Sequence, residues 1–106
     1  MTMSDRKPTL LTGLQPSGNL HIGNYFGALK PFADAYAGYE SFLMLADYHA
    51  LTSLKEPGTL KAHTLNLARA YLASGVDPES VVIFRQSDVP EHTELAWIFD
   101  CVVTVP

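Results

Sequence analysis

The sequence is short of several things, and each shortage removes a class of explanation. It has one cysteine, Cys101, so it can build neither an intramolecular disulfide framework nor a multi-cysteine zinc site. Its four histidines stand far apart with no short ligand pair, which argues against a structural metal. No apolar stretch approaches the roughly 18 residues of a membrane span, and Met1 to Thr9 lacks the apolar centre of a signal peptide. Charged residues make up only 17% of the 106, below the roughly 25% usual in soluble domains. A chain so lightly charged is expected to hide more surface than it can cover alone. Seven basic against eleven acidic side chains give a net charge of −4. No basic run exceeds Arg6–Lys7, so a self-sufficient polyanion-binding surface is not expected. What remains is a cytoplasmic globular piece with one modest core.

The apolar pattern gives the architecture. Residues 1–8 are polar and expected to be loose. Thr9-Leu10-Leu11-Thr12 is a short β-prone run that stops at Gly13, and Leu14 to Asn19 is loop chemistry. From Leu20, apolar residues at 22, 25, 26, 29, 32, 33 and 36 form a helical stripe. Pro31 interrupts it, which predicts a kink or a restart near residue 30. Phe42-Leu43-Met44-Leu45-Ala46 is apolar on both alternations, as a strand covered on both faces would be, and ends at Asp47-Tyr48-His49. After Pro57-Gly58, Thr59 can cap a helix carrying Leu60, Thr64, Leu67, Tyr71 and Leu72, with Gly75 at its left-handed end. Val81 to Phe84 is a third strand, and Ser87-Asp88-Val89-Pro90 opens a last helix with Leu95, Ile98, Phe99 and Val102. Strand and helix alternate three times, which predicts an α/β fold: a Rossmann-like parallel half-domain over residues 9–106.

Four of the seven glycines, Gly13, Gly18, Gly23 and Gly27, bracket the junction of the first strand and first helix. In a parallel sheet this junction lies at the carboxyl end of the strand, where ligands bind. A helix start there offers unpaired N–H groups and a positive dipole end, both suited to phosphate. Gly13-Leu-Gln-Pro-Ser-Gly18 has the first spacing of a P-loop, but Asn19-Leu20 replaces the required Lys-Ser/Thr, and Gly-x-Gly-x-x-Gly is absent. What is left is His21-Ile22-Gly23-Asn24. Its side-chain donors could reach a phosphate oxygen while Gly23 lets a purine or ribose lie flat on the backbone. The structural alternative is a turn with close helix packing.

The segment from Gly13 to Leu29, Gly-Leu-Gln-Pro-Ser-Gly-Asn-Leu-His-Ile-Gly-Asn-Tyr-Phe-Gly-Ala-Leu, resembles the first signature of class I aminoacyl-tRNA synthetases in its tryptophanyl form. The likeness continues through Ala46 to Thr52, Tyr71 to Pro78 and Gln86 to His92, and so covers nearly the whole chain from residue 10. Tyrosyl enzymes usually keep His at the last motif position and lack the Gln-Pro-Ser-Gly lead-in.

The resemblance implies ATP-dependent activation of L-tryptophan and its transfer to tRNA(Trp), with Mg²⁺ carried on the phosphates rather than in a protein cage. It implies His21 and Asn24 as catalytic residues, with Gln15, Pro16, Ser17, Gly23, Asn24 and Gly27 around ATP. Leu11, Gly13, Gln15, Asp47 and His49 would lie around tryptophan. A longer homodimeric parent is expected, with tRNA contacts and the second, lysine-rich signature outside these residues. Two further readings stand beside it: a tyrosyl-type or paralogous adenylating enzyme, and a nucleotide-binding module without turnover. At the residue level, Asp47 fits a turn residue bonding nearby N–H groups as well as a ligand. His49 fits a satisfied core histidine, and His21 an exposed helix start. His63 and His92 read as surface or packing residues, and Tyr71, Trp97 and Phe99 as apolar helix faces.

Overall fold

The computed structural model describes residues 6–104. Three strands, β1 (Thr9–Leu14), β2 (Glu40–Leu45) and β3 (Val82–Arg85), form one parallel sheet in the order β1-β2-β3. The register runs from Thr9 opposite Glu40 to Leu14 opposite Leu45, and from Phe42 opposite Val82 to Leu45 opposite Arg85. Helices fill each connection, which makes the fold the expected Rossmann-like α/β arrangement. Of the segment expected to be loose, residues 1–5 lie outside the described residues. Its end is held: Lys7 Nζ donates to the Ala37 carbonyl at 3.2 Å, and the Pro8 carbonyl accepts from Glu40 N–H at 2.9 Å.

The first connection is a composite helix: α1 (Ile22–Asn24), a π-helical turn (Tyr25–Leu29) and α2 (Lys30–Ala35). Pro31 accounts for the join. It has no N–H to give the carbonyl four residues back, so the chain widens by one residue just before it. Lys30 N–H accordingly bonds the Tyr25 carbonyl, five residues earlier. The restart expected near residue 30 is therefore present, as a widened turn rather than a break. The second connection holds α3 (Asp47–Ala50) and the long α4 (Pro57–Ala73). Here Pro57 takes the first helical position and Glu56 the cap, so Thr59 is not the cap: proline's missing N–H costs nothing at a helix start. Gly75 closes α4 at φ +94°, a left-handed residue as its position predicts. The last helix is α5 (Glu91–Val102).

The core lies on one face of the sheet. Leu43 and Leu45 of β2 meet Leu29 and Phe32 from the first helix, Leu67 and Tyr71 from α4, and Val76 and Val81. The opposite face departs from the sequence reading. Phe42 and Met44 are only half-buried, Leu11 is 55% exposed and Val82 53%. No α5 residue is buried, and Leu95, Trp97, Ile98, Phe99 and Val102 are all exposed. β2 therefore has the composition of a two-sided strand with one side covered. Leu72 of α4 and Ile22 and Phe26 of the first stripe are exposed as well.

Two features fix how β1 meets β2. A Cβ added at Gly13 would stand 2.8 Å from the Met44 carbonyl oxygen and 2.9 Å from its Cβ, so only glycine permits this approach. Beside it the Tyr71 hydroxyl donates to the Met44 carbonyl at 2.8 Å and accepts from Leu14 N–H at 2.9 Å. Burial pushes the Tyr71 phenol up to about 12, against a smaller opposing effect of the Leu14 N–H.

Gly13→Ala is expected to destabilise the fold by about 1–3 kcal/mol, as overpacking does, read as a lower urea midpoint at unchanged m-value. The raised phenol gives a pH dependence. The folded state keeps the Tyr71 proton where the unfolded chain would lose it. This contribution is complete below pH 10 and disappears as pH rises to about 12. Titration by ultraviolet absorbance should show a phenol that ionises only as pH approaches about 12, with the urea midpoint falling over the same interval.

Candidate functional site

The entry to the first helix is built from its own side chains. His21, extended at φ −110°, caps the helix: its Nδ1 accepts from Gly23 N–H at 3.1 Å, and Asn24 Oδ1 accepts from His21 N–H at 3.2 Å. This reciprocal capping box satisfies two N–H groups that a helix start otherwise leaves unpaired. It also sets the chemistry. An accepting Nδ1 carries no proton, so the neutral ring holds its proton on Nε2 as a donor. Asn24, with Oδ1 engaged, keeps its amide NH₂ for another acceptor. The two side chains expected to meet a phosphate are thus oriented by the helix they start.

The glycines around them serve three different ends. A Cβ at Gly23 would fall 2.9 Å from His21 Cε1 and 3.0 Å from Nδ1. The capping imidazole stands over this glycine, whose missing side chain makes room for the cap. Gly13 makes room for Met44, as above, so its lack of a side chain answers a strand contact. Gly18 sits at φ +134°, a conformation L residues rarely adopt, and it turns the loop. Nothing would touch a Cβ at Gly27. Within the same loop Pro16 is fully buried, so its ring anchors the segment and offers no open surface to a nucleotide. Ser17 is exposed, and Gln15 Nε2 reaches Ser53 Oγ at 3.3 Å.

The end of β2 is laced to the end of β3. Asp47, the first residue of α3, is buried. Its Oδ1 accepts from Tyr48 N–H at 3.1 Å and Ser87 N–H at 2.9 Å, and its Oδ2 accepts from the Ser87 hydroxyl. These bonds match the turn role weighed for Asp47, extended across two strands. His49 is exposed, and its N–H donates to Gln86 Oε1 at 3.2 Å. Gln86 and Ser87 are not among the site residues that the sequence suggests. Their signal in the sequence was a polar run immediately after a buried strand, at the edge where parallel sheets bind ligands.

These geometries meet independent comparisons. Residues 3–106 match the family of tRNA synthetases class I (W and Y). The chain belongs to this family. The tryptophan–tRNA ligase of Fusobacterium nucleatum is 55% identical over 95 residues, covering 90% of this chain and 29% of that protein. A tryptophanyl-tRNA synthetase from Campylobacter jejuni, complexed with ADP and tryptophan, superposes with a TM-score of 0.82 at 48% identity. It is covered over 91% of this chain and 30% of its own. The enzyme from Mycoplasma pneumoniae gives a TM-score of 0.85 at 33% identity, over 92% and 29% respectively. The chain thus spans about three-tenths of the length of these class I relatives.

For a class I synthetase segment, the expected residues are partly gathered. Gln15, Asp47 and His49 all follow the carboxyl ends of β1 and β2. His21 lines a groove of about 470 Å³ with Leu20, Tyr25, Phe26, Ala70 and Ser74, and none of the other expected site residues shares it. Leu11 lies instead in a concavity of about 330 Å³ on the open sheet face, beside Met44, Gln86, His92 and Phe99.

Asp47→Ala strands the two backbone N–H groups and the Ser87 hydroxyl and should cost about 2–3 kcal/mol. Asp47→Asn, which can still accept from both amides, should cost about 1 kcal/mol. Chemical denaturation of the two variants checks the order.

Proposed function

We propose that this chain is the nucleotide-binding part of the catalytic domain of a longer tryptophan–tRNA ligase. In that reading the carboxylate of L-tryptophan attacks the α-phosphorus of ATP, pyrophosphate leaves, and the tryptophanyl group of the adenylate passes to tRNA(Trp). Both reactants are anions, so the protein's task is to hold them in line and to neutralise charge growing on the phosphate oxygens. The observation that carries the reading is the His21–Asn24 capping box. It preorganises an imidazole Nε2–H and an amide NH₂ at the start of a helix, in a family that activates amino acids.

The family resemblance supplies the residue roles. His21 and Asn24 face the phosphates. Gln15, Ser17, Gly23 and Gly27 border ATP, with Pro16 fixing the loop beneath. Leu11, Gly13, Gln15, Asp47 and His49 stand on the tryptophan side, where Asp47 acts by holding the ends of β2 and β3 together. Among the described residues no group of three or more His, Cys, Asp or Glu side chains could hold a metal. Mg²⁺ would arrive with ATP, carried on its phosphates. The reading extends to a cytoplasmic homodimer. No helix of the described residues is long and apolar enough to cross a membrane, and the exposed apolar residues of α5 favour burial against further protein.

Exchange of labelled pyrophosphate into ATP, run on the full-length polypeptide that carries this chain, should depend on tryptophan and not on tyrosine. Dependence on tyrosine, or no exchange, would refute it. His21→Leu and Asn24→Leu should each lower exchange more than ten-fold while removing a cap worth only about 1 kcal/mol of stability. Loss of rate in step with loss of stability would reduce both residues to capping.

A further inference from the structure

Tyr71 carries no role in the reading above, yet among the described residues its hydroxyl is the one side-chain group that bonds both β1 and β2 where they end. It comes from α4, which supplies none of the proposed site residues, and its ring is fully buried in the core. With Leu14 opposite Leu45, Leu14 N–H and the Met44 carbonyl face each other across the last rung of the parallel ladder. The phenol engages both, at 2.9 and 2.8 Å. The same rung is completed by Ala46 N–H donating to the Leu14 carbonyl at 3.0 Å. The residue after β1 is Gln15, the first of the nucleotide loop, and the next after Ala46 is Asp47. Two half-sites therefore leave the sheet from a single clasped rung.

We infer that Tyr71 is a positioning residue for adenylation: its hydroxyl fixes the nucleotide loop after β1 relative to the tryptophan-side segment after β2. This rests on the ligase reading above. A group that sets the relative placement of two sites has a distinctive kinetic effect. Each substrate still finds its own half-site, so the KM values hold. The in-line approach of carboxylate to phosphorus is what suffers, and a small misplacement there lowers kcat. A group that only stabilises the core would change neither value while the protein stays folded.

The test is pyrophosphate exchange in the full-length polypeptide, at a temperature where every variant is folded by circular dichroism. Tyr71→Phe should lower kcat about ten-fold or more, with KM for ATP and for tryptophan within about two-fold of the parent. Leu67→Val, a core substitution one turn earlier on α4, should lower the melting temperature and leave kcat unchanged. An unchanged kcat in Tyr71→Phe, or an equal fall in both variants, overturns the inference. If Tyr71→Phe does not fold, amide exchange of the parent protein decides. Leu14 N–H should be among the slowest-exchanging amides and slow further when ATP is added, and exchange as fast as that of Ser17 overturns it. Absence of tryptophan-dependent exchange in the parent is a separate result, since it removes the ligase reading itself.

Discussion

The structure depends on how closely β1 can lie against β2. At Gly13 and Met44 the two backbones approach to a distance that no Cβ would allow, and one residue later the Tyr71 phenol bonds both strands. Everything proposed for the site departs from that rung. β1 runs out into the loop that Gly18 turns and Pro16 anchors, and the loop delivers the chain to the His21 cap. β2 runs out into Asp47, whose carboxylate takes hold of Ser87 beyond β3. The three strand ends thus form one connected edge, tied by a phenol on one side and a carboxylate on the other. Both ties are largely screened from water, where a hydrogen bond is electrostatically stronger and its loss costs more.

Much of this fold is legible in the sequence because the determining interactions are local. Three apolar runs separated by helical stripes are enough for a parallel α/β sheet. Pro31 announces a disturbed turn, since a missing N–H is a property of one residue. Gly75 announces a left-handed helix end for a similar reason. The glycine cluster shows where local reading stops. Gly13, Gly18 and Gly23 look alike as a ligand-binding bend, but each answers a different demand: a neighbouring strand, a backbone conformation, and the imidazole two residues earlier. Only the second is written in the residue itself; the others depend on what folds against it.

The site shows the same division. His21 and Asn24 are three residues apart, and their reciprocal bonds follow from spacing, so their prominence survives in the structure. Asp47 and His49 are visible as an acid and a ring at the end of a strand, but their partners Ser87 and Gln86 lie 40 and 37 residues on. No periodicity encodes such a pairing; it exists because β3 lies beside β2. Tyr71 was harder still. An aromatic on an apolar helix face is explained completely by burial, and nothing in the sequence says that its hydroxyl finds two backbone partners in the core.

The scarcity of charge has its counterpart in the uncovered face of the sheet. Leu11 and Val82 on the strands, with Trp97, Ile98 and Phe99 on α5, leave large apolar side chains open to solvent. Their position matters more than their area. α5 follows directly from the turn Gln86–Asp88, and that turn holds Asp47 through Ser87 and His49 through Gln86. Protein packed over Leu11 and Phe99 would press α5 onto the sheet and so fix the turn that holds the segment after β2. The nucleotide side has no such dependence, because the His21 cap and the Tyr71 clasp are made entirely within β1, β2, the first helix and α4. The half of the site proposed for phosphate is therefore complete in its own contacts. The half proposed for the amino acid draws its rigidity from the face that carries Leu11 and Phe99.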